Sequence, residues 1–110
     1  MADPAPTIST HVLDTGLGRP AVGVAVTLYK LAEDGRPIRV TQALTDDAGR
    51  VADLLERPLQ PGDYRLRFEV GDRGEFFQEI SIDLRVDDVT RSYHVPLLLA
   101  PYGLSTYRGN

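Results

Sequence analysis

Two histidines, His11 and His94, are the side chains of this sequence best suited to moving protons near neutrality. An unperturbed imidazole titrates at about 6.5, so it can take a proton in one step and return it in the next. Each lies in a segment that reads as a strand with apolar neighbours. Over residues 8–13, Ile8, Thr10 and Val12 share one face, which puts His11 on the other with Ser9 and Leu13. Over residues 90–99, Tyr93, Val95, Leu97 and Leu99 share a face, and His94 sits opposite with Pro96 and Leu98. An imidazole on a strand face is more often a hydrogen-bonded structural group than a catalyst. Neither histidine alone therefore identifies an enzyme.

Arg50 directly follows the turn Asp46-Asp47-Ala48-Gly49. Most arginines at a strand start are solvated. A fixed guanidinium can instead polarise a carbonyl or hold an anionic ring through its planar fork. The pair Asp46-Asp47 reads as turn chemistry, with side chains bonding to nearby backbone, as does Asp14; Asp87-Asp88 reads as a solvated turn. Two histidines plus a carboxylate could in principle hold zinc. The His-x-x-x-His spacing of a helical zinc site is absent, and metal catalysis is not expected. There is no Gly-rich phosphate loop and no G-x-S-x-G nucleophile elbow.

The elements that must position these groups are strands. Residues 24–31 place Val24, Val26 and Leu28 on one face and Ala25, Thr27 and Tyr29 on the other, as in a sandwich centre or a subunit contact. Residues 38–45 put Ile38, Val40 and Leu44 on a common face, and residues 50–55 form a brief strand. The clearest alternation has Tyr64, Leu66, Phe68 and Val70 inward, with Asp63, Arg65, Arg67 and Glu69 outward. Ile80, Ile82, Leu84 and Val86 repeat it. Pro96 suggests an edge or a bulge in the late strand. Residues 104–108 close the chain as a last short strand. About eight strands with regular turn signals and no helical stripe predict an all-β sandwich.

The chain has 110 residues, 42% hydrophobic and 25% charged, which suits one soluble domain. Residues 1–7, with two prolines, read as a loose arm, and residues 8–110 as the domain. Without cysteine there is no disulfide, thiol chemistry or thiolate zinc site. The net charge of −4 leaves no basic surplus to neutralise phosphates, so no nucleic-acid partner is expected. No run is apolar enough to span a membrane, and residues 1–7 have no signal-peptide character, so a cytoplasmic location is expected. The residues by themselves give a β-sandwich with two histidines and an arginine free to converge. They name no substrate.

Three ordered segments carry a resemblance. Ser9-Thr10-His11-Val12-Leu13-Asp14-Thr15 followed by Gly18-Arg19-Pro20-Ala21 resembles the opening signature of the transthyretin-like 5-hydroxyisourate hydrolases. Thr45-Asp46-Asp47-Ala48-Gly49-Arg50 is similar to their turn ending in the catalytic arginine. Tyr93-His94-Val95-Pro96-Leu97-Leu98-Leu99, Pro101-Tyr102-Gly103 and Ser105-Thr106-Tyr107-Arg108-Gly109 resemble their close. The resemblance implies an eight-stranded, Greek-key, transthyretin-like sandwich. It implies a homotetramer, a dimer of dimers, with sites in a channel at the dimer–dimer interface. It assigns catalytic roles to His11, Arg50 and His94, and substrate-binding roles to Tyr107, Arg108, Gly109 and Asn110. The implied reaction is hydrolysis of 5-hydroxyisourate in urate breakdown, with no cofactor. One histidine would be the base, with His11 favoured, and the other would position water or the ring.

Two departures from the family pattern stand out. The family usually ends in Tyr-Arg-Gly-Ser, whereas Asn110 follows Gly109 here. Many members also carry a short helix after the fifth strand. Here the stretch Gly71-Asp72-Arg73-Gly74-Glu75 is too short for one, and a tight turn is expected. A non-catalytic carrier of the same fold is the main alternative. It would lack the histidines and the Tyr-Arg-Gly segment that are present here. A non-enzymatic sandwich module is a further alternative, which the polar triad counts against.

Overall fold

Alternating apolar residues produce nine strands in the computed structural model, which describes residues 5–110. They are β1 (Ile8–Asp14), β2 (Arg19–Pro20), β3 (Ala25–Leu31), β4 (Pro37–Leu44), β5 (Arg50–Val51), β6 (Gly62–Glu69), β7 (Glu79–Val86), β8 (Tyr93–Leu99) and β9 (Leu104–Thr106). One sheet runs β2-β1-β8-β9, with β5 also on β1; the other runs β4-β3-β6-β7. The fold is therefore the expected all-β sandwich, with the two-residue β2 as an additional strand. No helix occurs among the described residues, so none there is long and apolar enough to cross a membrane.

The core lies where the inward faces meet. Ile8, Thr10 and Val12 of β1 and Tyr93, Val95, Leu97 and Leu99 of β8 are buried. They oppose Val26 and Leu28 of β3 and Tyr64, Leu66 and Phe68 of β6, also buried. The inward and outward assignments for β1, β6 and β8 therefore hold, and Ile80 and Val86 close the core on β7. Burying a large apolar side chain contributes about 1.5–3 kcal/mol, which makes these strands the framework on which the other face is displayed.

Several expectations need correction. Ile38, Val40 and Leu44 do not share a face. The pairing of β3 with β4 shifts between Leu28 and Tyr29, where Thr41 and then Arg39 are the partners, so Val40 is the extra residue of a bulge. A bulge reverses the alternation on either side of it. Leu44 consequently pairs beside Ala25 on the outer face and is exposed, while Ile38 pairs with Lys30. The strand at 50–55 ends at Val51, and Leu54 and Leu55 turn into the core, with the Leu54 N–H donating to the Ile8 carbonyl. The last strand stops at Thr106 rather than 108.

Pro96 lies neither on an edge nor in a bulge, since β8 is paired to β1 and β9. Its ladder with β9 begins only at Leu97; the Pro96 carbonyl accepts from the Thr106 hydroxyl at 2.8 Å, and the next backbone–backbone bond on that side is the Gly109 N–H to the His94 carbonyl, 2.7 Å. The missing N–H of proline faces this break. Thr7 is anchored: its N–H donates to Ser92 Oγ, its hydroxyl to Asp53, and its carbonyl accepts from Tyr93. Residues 1–4 of the expected arm lie outside the described residues. Between β6 and β7 the chain makes turns without helix, held by Arg73 and Gly74 N–H groups on the Val70 carbonyl.

Candidate active site

The outward face of the β1 sheet gathers the three candidates. β1 and β8 pair in parallel, with Ser9 beside His94 and His11 beside Pro96. On its other edge β1 pairs with β5, with His11 directly across from Arg50. Arg50, His11 and His94 thus sit on three adjacent strands, and the alternation of β1 and β8 turns both histidines away from the core. His11 and His94 are half-buried and Arg50 is exposed, so this face is open in a single protomer.

The hydrogen bonds around each ring define its chemistry. His11 Nε2 lies 2.8 Å from the Ala48 carbonyl oxygen. A carbonyl can only accept, so Nε2 carries the proton and Nδ1 of the neutral ring keeps its lone pair. Ser9 Oγ lies 2.8 Å from His94 Nδ1. Burial holds the His94 pKa below the ordinary histidine value, and the nearby charge of Arg50, with that of His11 when it is protonated, lowers it further. The site therefore offers a neutral His94, an imidazole with a free Nδ1 and a cation across the strand from it.

The turn before Arg50 is built closely onto β1. Gly49 has φ of 77°, and a Cβ there would meet the Val12 carbonyl oxygen at 2.4 Å. Only glycine fits both the left-handed backbone and that approach. Asp46 Oδ1 accepts from the N–H groups of Ala48 and Arg50, each at 2.9 Å. Those backbone donors, that of Arg50 foremost, lower the Asp46 pKa, so its carboxylate stays ionised. The reading of Asp46 as turn chemistry is therefore correct. Asp14 and Asp88 behave alike, accepting from the N–H groups of Leu17 and Thr90.

The segment 107–110 runs beside β8. A Cβ on Gly109 would lie 2.6 Å from His94 Cδ2, so the tail packs directly on that ring. Asn110 holds the backbone at the start of β8, at Ser92 and His94, with both ends of its amide. Oδ1 accepts from the His94 N–H at 3.3 Å, and Nδ2 donates to the Ser92 carbonyl at 2.6 Å. Arg108 stacks its guanidinium 4.3 Å from the centre of the Tyr93 ring, and its Nε donates to Asn110 Oδ1 at 3.4 Å. With the exposed Tyr107 it borders a cleft of about 300 Å³ against Ile82 and Leu84 of β7. The structure thus brings Gly109 and Asn110 onto His94, and places Tyr107 and Arg108 beside the β7 edge in a cleft that His94 also lines. No group of three or more histidine, aspartate or glutamate side chains that could hold a metal occurs among the described residues.

Ser9 and the Ala48 carbonyl escape sequence reasoning as site groups. Ser9 is recognisable as a neighbour of His11 on its face, but its partner is set by a strand pairing invisible in the sequence. A backbone carbonyl has no sequence signal at all.

The family model described as HIUase/Transthyretin family matches residues 8–109, which includes all three candidates. The chain belongs to this family. A 5-hydroxyisourate hydrolase of Halalkalibacterium halodurans is 43% identical over 115 residues, covering 94% of this chain and 97% of the relative. The structure of Klebsiella pneumoniae 5-hydroxyisourate hydrolase superposes with a TM-score of 0.82 at 36% identity, covering 96% of this chain and 99% of that one. Sea bream transthyretin, solved in complex with thyroxine, has a TM-score of 0.84 at 24% identity, covering 92% of each chain. That last likeness concerns the fold. The sandwich of this HIUase/transthyretin chain is thus a transthyretin-like one.

Proposed function

We propose that this protein hydrolyses 5-hydroxyisourate, the product of urate oxidation, to 2-oxo-4-hydroxy-4-carboxy-5-ureidoimidazoline, using its own side chains without a cofactor. The observation that carries the reading is the cross-strand pairing of His11 with Arg50, within a family whose similar members are hydrolases of this substrate. His11 Nδ1 takes a proton from water as the water oxygen bonds to the ring carbonyl carbon. Such general-base help contributes about 10²–10⁴-fold. The carbonyl oxygen becomes an oxyanion, which the Arg50 guanidinium stabilises. The ring C–N bond then breaks, and the departing nitrogen recovers the proton from His11. His94, neutral and tied to Ser9, orients the water or the ring.

Residues 107–110 bound the site on the β8 side, Gly109 by contact and Asn110 through its hold on the His94 backbone. A substrate contact by Arg108 requires its guanidinium to leave Tyr93. The working unit in this reading is a tetramer. β7 and β9 each have one unpaired edge, and the cleft beside the tail lies next to both. A site on an open sheet face needs a second protomer to exclude water.

The test is a hydrolysis assay. 5-Hydroxyisourate is generated fresh with a urate oxidase and its ultraviolet decay followed with the protein and with His11→Ala, Arg50→Ala and His94→Ala. Decay far above the spontaneous rate, lost in the variants, is expected. Decay no faster than buffer from a folded oligomer would favour a carrier. Light scattering checks the oligomer, and a stable, active monomer would overturn that part.

A further inference from the structure

Both groups assigned above to proton transfer and oxyanion stabilisation are held by one five-residue turn, residues 46–50, which contacts His11 and carries Arg50. Ala48 presents the carbonyl that fixes the His11 tautomer, and Arg50 begins the strand across from His11. Each end of this turn has a separate support. On the β1 side, the Val12 N–H donates to the Gly49 carbonyl at 2.7 Å, and the close approach at Gly49 leaves no room for a side chain. On the solvent side the support is the Asp46 carboxylate. Its Oδ1 alone gathers the N–H groups of Ala48 and Arg50, while the Asp46 backbone closes the same turn with Gly49 and Arg50.

We propose that Asp46 is a positioning residue: its carboxylate holds the turn so that the Ala48 carbonyl keeps the proton of neutral His11 on Nε2 and leaves Nδ1 free. This rests on the hydrolase reading for its consequence in turnover, but the tautomer itself does not depend on that reading.

The physical argument is one of backbone orientation. Without the carboxylate, the N–H groups of Ala48 and Arg50 have only water to donate to. The peptide plane before Ala48 then loses its hold, and the plane that carries the Ala48 carbonyl is left with the single bond from the Gly49 N–H to the Asp46 carbonyl, about which it can tilt. A neutral imidazole deprived of its acceptor redistributes its proton between the two nitrogens. Only the form with the proton on Nε2 offers Nδ1 as a base. The same loosening lets the start of β5, and Arg50 with it, drift from its place opposite His11. Asp47, the adjacent carboxylate, makes neither of these contacts; both go to Asp46.

The experiment compares the full-length wild type with Asp46→Ala and Asp46→Asn. Long-range proton–nitrogen spectra at a pH where the imidazoles are neutral read the His11 tautomer, and steady-state assays read kcat and KM. Wild type is expected to show the Nε2–H form at His11. Asp46→Ala is expected to show a mixture, with kcat down about 10-fold or more, within the range that misplacing a catalytic group costs, and KM little changed. Asp46→Asn keeps an oxygen at the Oδ1 position and is expected to retain the tautomer and most of the turnover. An unchanged His11 tautomer in Asp46→Ala would overturn the proposal. If Asp46→Ala does not fold, Asp46→Asn and Asp46→Ser decide it: a mixed tautomer in folded Asp46→Asn overturns it. A tautomer shift in a protein with no hydrolase activity would sustain the positioning role and defeat the hydrolase reading instead.

Discussion

Ser9 Oγ lies 2.8 Å from His94 Nδ1 although 85 residues separate them in the chain. The bond exists because β1 and β8 run parallel with these two residues side by side. It fixes the rotation of the His94 ring. Ser9→Ala should lower kcat/KM about 5- to 10-fold, the equivalent of one net hydrogen bond of about 1 kcal/mol. Steady-state hydrolysis checks it; unchanged kcat/KM would show that packing alone orients the ring.

Gly109 touches the opposite side of that ring. A methyl group there would collide with His94 Cδ2 at 2.6 Å and with Pro96 Cγ at 3.1 Å. Gly109→Ala must displace either the tail or the imidazole. We expect turnover to fall at least as far as in Ser9→Ala, with little change in melting temperature, because the tail lies outside the core. Melting and kinetics on one preparation separate the two effects. A fully active Gly109→Ala would show that the tail is free to move aside.

The pH dependence of stability follows from His94. Burial first, then the charge of Arg50 and that of His11 when it is protonated, depress its folded pKa. Above the ordinary histidine value, about 6.5, both folded and unfolded forms are neutral and the group contributes nothing. As pH falls below that value the unfolded chain takes the proton first, so stability is lost until the depressed folded value is passed. Thermal melts from pH 8 to 5 should show this decline, and His94→Gln should be flatter. Parallel curves for the two proteins would refute the assignment.

Thr45, at the foot of the Asp46 turn, is buried with its hydroxyl fully used. Oγ1 donates to the Ala21 carbonyl at 2.6 Å and accepts from the Val24 N–H at 2.9 Å. Thr45→Val keeps the shape and strands both partners. The expected cost is about 1–3 kcal/mol, measured by denaturant unfolding. A cost near zero would mean that water replaces the hydroxyl.

Strands that bury one face were legible in the sequence, because a period of two is written directly in residues such as Tyr64, Leu66, Phe68 and Val70. The faces of His11 and His94 followed from the same period. Where alternation breaks, the reading fails: the bulge at Val40 carried Leu44 to the other face with no local sign. Pro96 misled because the gap that tolerates it depends on where β9 ends. The convergence of Arg50, His11 and His94 needed strand order, which no single segment encodes, and came from resemblance. The direction of Arg108 depends on the ring of Tyr93, a contact between non-adjacent residues that no pattern announces.

The parallel pairing of β1 with β8 also governs when the site can come into being. Synthesis releases β1 early and β8 near the end, so one edge of β1 must wait for most of the chain to emerge. Closing so long a loop is slow compared with forming hairpins such as β3–β4 or β6–β7. The second sheet can therefore assemble first, while the edge of β1 that will receive β8 stays open to the wrong strand of another chain. The histidines meet only in the last long-range step. A nascent or truncated chain would be catalytically silent at the stage when it is most prone to mispair.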